Sequence, residues 1–386
     1  MPLRVMGLAN EVIVDVACAG NHTAALTSKG LVHTWGNNSG GRTGHVSTHR
    51  TPSLLTKLSH KTVIYISANQ YHTACVTQEG EIFSFGTGRY GKLGHGDEVS
   101  CHTPKLVDAL EGVKVEQLSC GHYHTALCTE EGQVYTFGEG EKGKLGHGDH
   151  EDRYLPELVQ ALKGYFVTQV QCGKSCTMAL TSSGYVFTWG DNGQNGKLGL
   201  SHKSLDSLSF PHVVEGLLEH EASEISSFGD HSMVLVTSNP CPFHRSRREL
   251  LDKEEYSNVV FMIDKDPIYA NTKILCERSE YFQAMFRSNM RESIERVVEV
   301  SSCSRATFLL LLEYIYTHIL PQGISPEDLV ELFHLSDMYL VEGLKFSCMA
   351  ALEIVVLNNN WNRSEILQTI ECFGDSCIDL KKFLLD

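Results

Sequence analysis

Three histidines, His22, His72 and His124, recur at matching places along the chain, each followed by threonine and a small residue. Imidazoles at regular spacing are what a metal site or a general base would use. No carboxylate keeps a fixed distance from them in the sequence. Catalysis therefore lacks its partner group, and the spacing assigns these rings to bonding of neighbouring backbone. A second candidate is glycine-rich: GRTGH at 41–45, GKLGHGD at 91–97 and 143–149, and GKLGL at 196–200. Such a segment could cradle phosphate, but a phosphate loop is single and feeds a helix N-terminus. One that occurs four times and runs on into strand belongs to a repeated scaffold. Thirteen cysteines are scattered singly, without a CxxC pair. Cys172 with Cys176, and Cys372 with Cys377, are the nearest to metal pairs, and neither has a second pair at ligand spacing to complete a tetrahedral set. No catalytic, cofactor-binding or metal-binding residue is assigned.

What positions these residues is a repeat. Residues 18–36 read CAGNHTAALTSKGLVHTWG and 120–138 read CGHYHTALCTEEGQVYTFG, with copies at 68–86 and 172–190. Their turn glycines, Gly30, Gly80, Gly132 and Gly184, lie 50, 52 and 52 residues apart. A period of that length means stacked supersecondary units. Within each unit, alternation near period two, as in Val134–Phe137, predicts strands, and the glycine fits a tight hairpin turn with positive φ. Several short strands per repeat predict radial blades. Prolines at positions 2, 52, 104, 156 and 211 read as unit openers, which gives units 2–51, 52–103, 104–155 and 156–210 and a partial fifth.

The combination of HTALxT, a glycine turn, a WG or FG pair and GxLGxG resembles the regulator of chromosome condensation repeat over residues 1–239. That resemblance implies a propeller, typically of seven blades. About four and a half units do not fill such a ring. The ring is smaller, the arc is open, or further sequence precedes Met1. An open arc would leave sheet edges and apolar flanks uncovered.

Composition changes near residue 240. The polar linker 240–256 carries Arg245, Arg247 and Arg248, read as a solvated basic cluster. VVFMI at 259–263, PIYA at 267–270 and VVEV at 297–300 predict strands. KILCERSEYFQAMF and RATFLLLLEYIY predict helices, and Ser325-Pro326-Glu327-Asp328 predicts a helix start. This is a small α+β domain. Residues 257–350 resemble a BTB/POZ domain, and 351–386 resemble the helical extension that follows such domains, read as cut short at KKFLLD. The resemblance implies a protein-interaction module that homodimerises, many members binding cullin-3 as substrate adaptors of a ubiquitin ligase. Met290, Arg291 and Glu292 resemble the cullin-contact loop of such adaptors. Asn258, Asn271 and Arg278 fall at the family's charged pocket. Asn258 replaces its usual Asp and Asn271 its usual His.

The expected fold is thus an all-β, propeller-like repeat domain followed by an α+β BTB/POZ domain. Net charge is −15, which argues against a nucleic-acid partner held by phosphate neutralisation. No apolar run approaches bilayer length, and the start lacks the pattern of a signal peptide, so the expectation is no membrane partner and a cytoplasmic or nuclear location. The expected function is a cullin-3 adaptor whose repeats hold a client protein. The alternatives are nucleotide exchange on a small GTPase and a dimeric scaffold without a ligase.

Overall fold

The computed structural model describes residues 5–193, 196–200, 206–240, 247–287, 294–321, 323–357, 363–371, 373 and 377–385. The chain divides into two compact units that change over near Thr237. Among the described residues no helix is long and apolar enough to cross a membrane.

The first unit is a series of sheets. Strands β1 (Ile13–Cys18), β2 (His22–Thr27), β3 (Val32–Gly36) and β4 (Ser53–Leu54) pair in chain order as an antiparallel meander. The pattern repeats in β5–β8 (63–106), β9–β12 (115–158) and β13–β16 (167–213). A two-stranded piece follows, β17 (His220–Phe228) with β18 (His231–Pro240). The sheets stand in series as propeller blades and do not close a ring.

The structural blade is offset from the sequence unit. Pro104 lies inside β8 (Cys101–Leu106) and Pro156 inside β12 (Arg153–Leu158), so both end the preceding sheet rather than open the next. Each of these strands is the edge of its sheet. Proline has no N–H for a ladder, and an edge strand needs none on its outer side.

Cohesion comes from apolar clusters shared by neighbouring blades. Leu26 and Val32 of the first sheet, with Leu55 just after β4, pack with Val63, Ile66, Cys75 and Phe85 of the second. Val76 and Ile82 do the same with Val115, Leu118, Leu127 and Phe137. At the start of the series β1 buries one face by half. Ala17 packs into the first cluster while Val14 and Val16 are exposed. At the far end Phe228, Met233 and Leu235 are exposed.

The turn glycine has a second duty between blades. Gly132 has φ +74°, and its carbonyl accepts from Val167 N at 3.0 Å in the next sheet. A Cβ there would lie 2.8 Å from the Phe166 Cα. Gly132→Ala is expected to cost the left-handed penalty of roughly 1–2 kcal/mol, plus the displacement of that backbone. A lowered urea midpoint read by tryptophan fluorescence checks it, and an unchanged midpoint contradicts it.

The second unit holds a three-stranded sheet of order β20–β19–β21, where β19 is Val259–Ile263, β20 Asp266–Ala270 and β21 Val297–Glu299. β19 runs antiparallel to β20 and parallel to β21. Among the described residues seven helices accompany it: α1 (Thr272–Arg278), α2 (Glu280–Arg287), α3 (Arg305–Thr317), α4 (Pro326–Met338), α5 (Glu342–Leu357), α6 (Arg363–Glu371) and α7 (Ile378–Leu385). Its core is aromatic, with Phe261 5.0 Å from Phe308 and Phe282 5.3 Å from Tyr339 between ring centroids. Ser325 caps α4 by accepting from Asp328 N, as the Ser-Pro start predicts. The helical spacing over KILCERSEYFQAMF belongs to two helices, α1 and α2. Ser279 between them is extended, and its hydroxyl donates to the Tyr339 carbonyl at 2.6 Å and accepts from Phe282 N at 3.2 Å. Of the supposed solvated cluster, Arg247 pairs with Glu277 at 3.4 Å and Arg248 with Glu313 at 2.8 Å, while Arg245 lies outside the described residues.

Candidate functional site

The repeat histidines open β2, β6 (His72–Thr77) and β10 (His124–Thr129) and are buried. His22 Nε2 lies 2.8 Å from Thr73 Oγ1, His72 Nε2 2.9 Å from Thr125 Oγ1 and His124 Nε2 2.9 Å from Thr177 Oγ1. Each ring thus reaches a hydroxyl of the next blade, a correction to the neighbouring backbone expected from sequence. The threonine in turn donates to a main-chain carbonyl: Thr73 to Arg42 at 2.7 Å, Thr125 to Lys92 at 2.9 Å and Thr177 to Lys144 at 2.8 Å. A hydroxyl has one proton, so it accepts from the ring, and the proton sits on Nε2. Burial, then the Arg42 charge, lowers the His22 pKa to about 4. Burial, then Lys144, lowers that of His124 to about 3, and His72 moves the same way by burial and Lys92. Neutral, buried rings tied into such chains are joints between blades.

The glycine-rich segments are joints too. Lys92, Lys144 and Lys197 occupy one place in successive blades, with Arg42 before them, and all four are buried. Ser84 Oγ donates to Leu93 O at 2.7 Å and Thr136 Oγ1 to Leu145 O at 2.7 Å, which pins each segment to its own sheet. A Cβ on Gly94 would meet the Phe137 ring at 2.9 Å, so the FG pair of one blade packs on the segment before it. Lys144 pairs with Glu139. Lys197 reaches Asp191 at 2.6 Å and Asp230 at 3.1 Å. Sequence reasoning misses these carboxylates. The signal for Glu139 and Asp191 is the residue after the WG or FG pair of each repeat, which is Asn37, Thr87, Glu139 and Asp191 in turn.

Cys172 and Cys176 are buried, and burial raises both thiols. Cys372 lies outside the described residues, among which no cluster of three or more metal-type side chains occurs.

In the second unit, Asn258 and Asn271 are drawn into one helix start. Asn258 Oδ1 accepts from Thr272 N at 2.8 Å and its Nδ2 donates to Thr272 Oγ1 at 3.0 Å. Asn271 caps α1 by accepting from Lys273 N at 3.0 Å, and its Nδ2 donates to Tyr256 O at 3.1 Å. Arg278 closes the same helix at its other end. The two asparagines therefore serve the helix N-terminus, with their amides committed to local groups. Met290, Arg291 and Glu292 lie outside the described residues.

Residues 1–239 match a family model described as an RCC1-like domain, and 248–353 match one described as a BTB/POZ domain. The chain is 36% identical over 242 residues to the human E3 ubiquitin-protein ligase HERC2, covering 62% of this chain and 4% of that protein. It is 33% identical over 239 residues to the ultraviolet-B receptor UVR8 of Arabidopsis thaliana, covering 61% and 54%. This chain thus spans a small fraction of the first relative and about half of the second. Human WBSCR16 has a similar fold, with TM-score 0.53 and 28% identity over 59% of each chain. Prp20p of Saccharomyces cerevisiae shares the fold at TM-score 0.53 and 19% identity, over 59% of this chain and 56% of that one.

Proposed function

Because the chain belongs to the RCC1-like domain family over residues 1–239, with a BTB/POZ domain over 248–353, we propose that it is a substrate-recognition adaptor of a cullin-3 ubiquitin ligase. The blades hold a client protein, and the BTB/POZ domain dimerises and recruits cullin. What carries this reading is the pairing of two interaction modules in one chain. The repeated polar residues add to it. They are spent on joining blades, as the three His–Thr–carbonyl chains illustrate, rather than on a reacting group. The likeness of the blades to part of an E3 ubiquitin-protein ligase points to the same pathway.

The test is calorimetry of the full chain with the N-terminal domain of cullin-3. Saturable binding at one cullin per chain supports the adaptor. No heat of binding, with dimerisation intact by light scattering, leaves a scaffold without a ligase.

A further inference from the structure

The four blade-end cations are neutralised unevenly. Lys144 and Lys197 have carboxylate partners, Glu139, Asp191 and Asp230. Arg42 and Lys92 have none among the described residues, because Asn37 and Thr87 stand where the later blades carry acids. Arg42 instead donates to two carbonyls, Nε to Ser39 O at 2.8 Å and Nη1 to Gln70 O at 2.6 Å. Lys92 Nζ donates to Arg89 O at 3.0 Å and faces two rings, 5.4 Å from the Tyr123 centroid and 5.7 Å from that of Tyr71. An ammonium has three donors, and here one meets an oxygen while the π faces supply the rest. Burial lowers the Lys92 pKa to about 8, outweighing the upward pull of Glu139 and Glu98, with Arg89 adding to the lowering.

Above these cations lies a half-exposed aromatic face. Tyr71 and Tyr123 stack at 5.2 Å, and Tyr90 meets Tyr123 edge-on at 5.5 Å. The guanidinium of Arg89, which is exposed, sits 4.5 Å from the Tyr90 ring. Among the described residues three acids act on this face, and Asp230, which acts on His122, is held by Lys197. Glu98 accepts from Tyr90 N at 3.1 Å, and Glu139 is held by Lys144. His122, edge-on to Tyr71, is kept neutral by burial. Three cations therefore stand against one acid not already paired with a lysine, on a chain whose net charge is −15.

We propose that this face, Tyr71, Tyr90 and Tyr123 with Arg42, Arg89 and Lys92, is where the blades take hold of their client, and that it binds an acidic peptide segment. Arg89 offers the bidentate contact to a carboxylate, with Lys92 and Arg42 adding field from beneath. The tyrosines give rigid contact area beside it, and Tyr with Arg is the pairing enriched where binding energy concentrates. The inference rests on the adaptor reading above and adds the chemistry of the client.

The probe is a fluorescein-labelled nonapeptide of alternating Glu and Gly with a central Tyr, titrated with the full chain by anisotropy. Its control has Gln for every Glu. The Glu peptide is expected to bind at least tenfold more tightly, and to weaken as salt rises from about 50 to 300 mM, since exposed charges are screened over about a Debye length. Thr87→Glu places beneath Lys92 the acid that Lys144 already has, so the fold tolerates it and binding falls at least tenfold. Arg89→Gln alters an exposed side chain and lowers affinity in the same direction. Equal binding of the two peptides overturns the inference, as does a folded Thr87→Glu or Arg89→Gln chain that binds like wild type. The cullin titration reads the other module. Peptide binding without cullin binding sinks the ligase reading alone, and cullin binding without peptide binding sinks this one alone.

Discussion

Acidification from pH 7 to 4 is expected to remove most of the stability of the blades. His22 and His124 have folded pKa values near 4 and 3, against about 6.5 in an unfolded chain. Between those limits the unfolded state binds more protons than the folded state, so stability falls as pH drops through the window. Above about pH 6.5 both rings are neutral in either state and their contribution is complete. At pH 4 each has lost about 3 kcal/mol, because every pH unit below 6.5 that leaves the folded ring unprotonated costs about 1.36 kcal/mol. Together that is about 6 kcal/mol, comparable with the 5–15 kcal/mol net stability of an ordinary domain. His72 adds to the loss in the same direction. The cause is geometric. A protonated ring would sit buried beside Arg42, Lys92 or Lys144, with a cation where the joint needs a neutral donor.

The check is urea unfolding followed by tryptophan fluorescence at several pH values, since Trp189 is buried in the fourth blade. His124→Gln keeps a donor towards Thr177 and removes the titration. It should be less stable than wild type at pH 7, and its dependence on pH below 6.5 should be shallower by about one proton. Parallel curves for the two proteins would show that His124 does not titrate with unfolding.

The repeat, its turn glycines and the four and a half blades are legible in the sequence because they are properties of the local chain. A glycine at φ +74° announces itself by recurring wherever the same turn recurs, and strand alternation needs no partner to be visible. The His–Thr joints are not legible in the same way. His22 and Thr73 are 51 residues apart, and each sits in an HT pair that reads as self-contained. The offset of blade from unit also needs pairing information, because Pro104 marks an edge strand only once β8 is known to hydrogen-bond to β7 (Ile82–Gly86). The break at Ser279 depends on Tyr339, sixty residues away. The pocket residues show the opposite limit. Asn258 and Asn271 stand out by position in a family pattern, and the structure gives them local work at the start of α1. Glu139 and Asp191, the partners of Lys144 and Lys197, are on view in the residue following the WG or FG pair of each repeat, and they escape notice because a position that varies between repeats does not stand out as a motif.

The other large effect belongs to Met290 and Glu292. If the chain is a ligase adaptor, Met290 enters an apolar pocket on cullin and Glu292 accepts hydrogen bonds beside it. Burying a methionine side chain is worth roughly 1.5–3 kcal/mol. A hydrogen bond to a charged group contributes roughly 1.5–3 kcal/mol more. With each 1.4 kcal/mol worth about a factor of ten, Met290→Ala with Glu292→Ala should weaken binding of the cullin N-terminal domain about a hundredfold or more. The fold should survive the change. The aromatic core of the second unit includes Phe261, Phe282, Phe308 and Tyr339, and the helix starts at Asn271, Ser304 and Ser325 are capped by accepting from Lys273, Thr307 and Asp328, none of which is changed. An unchanged thermal midpoint and dimer mass, with a lost calorimetric isotherm, is therefore the expected pair of results. Wild-type affinity in the double variant would move the cullin contact elsewhere on the domain. Binding lost together with the dimer would instead place these two residues in the dimer surface. The two alanine changes thus separate a contact from a support, which the family pattern of three residues does not do by itself.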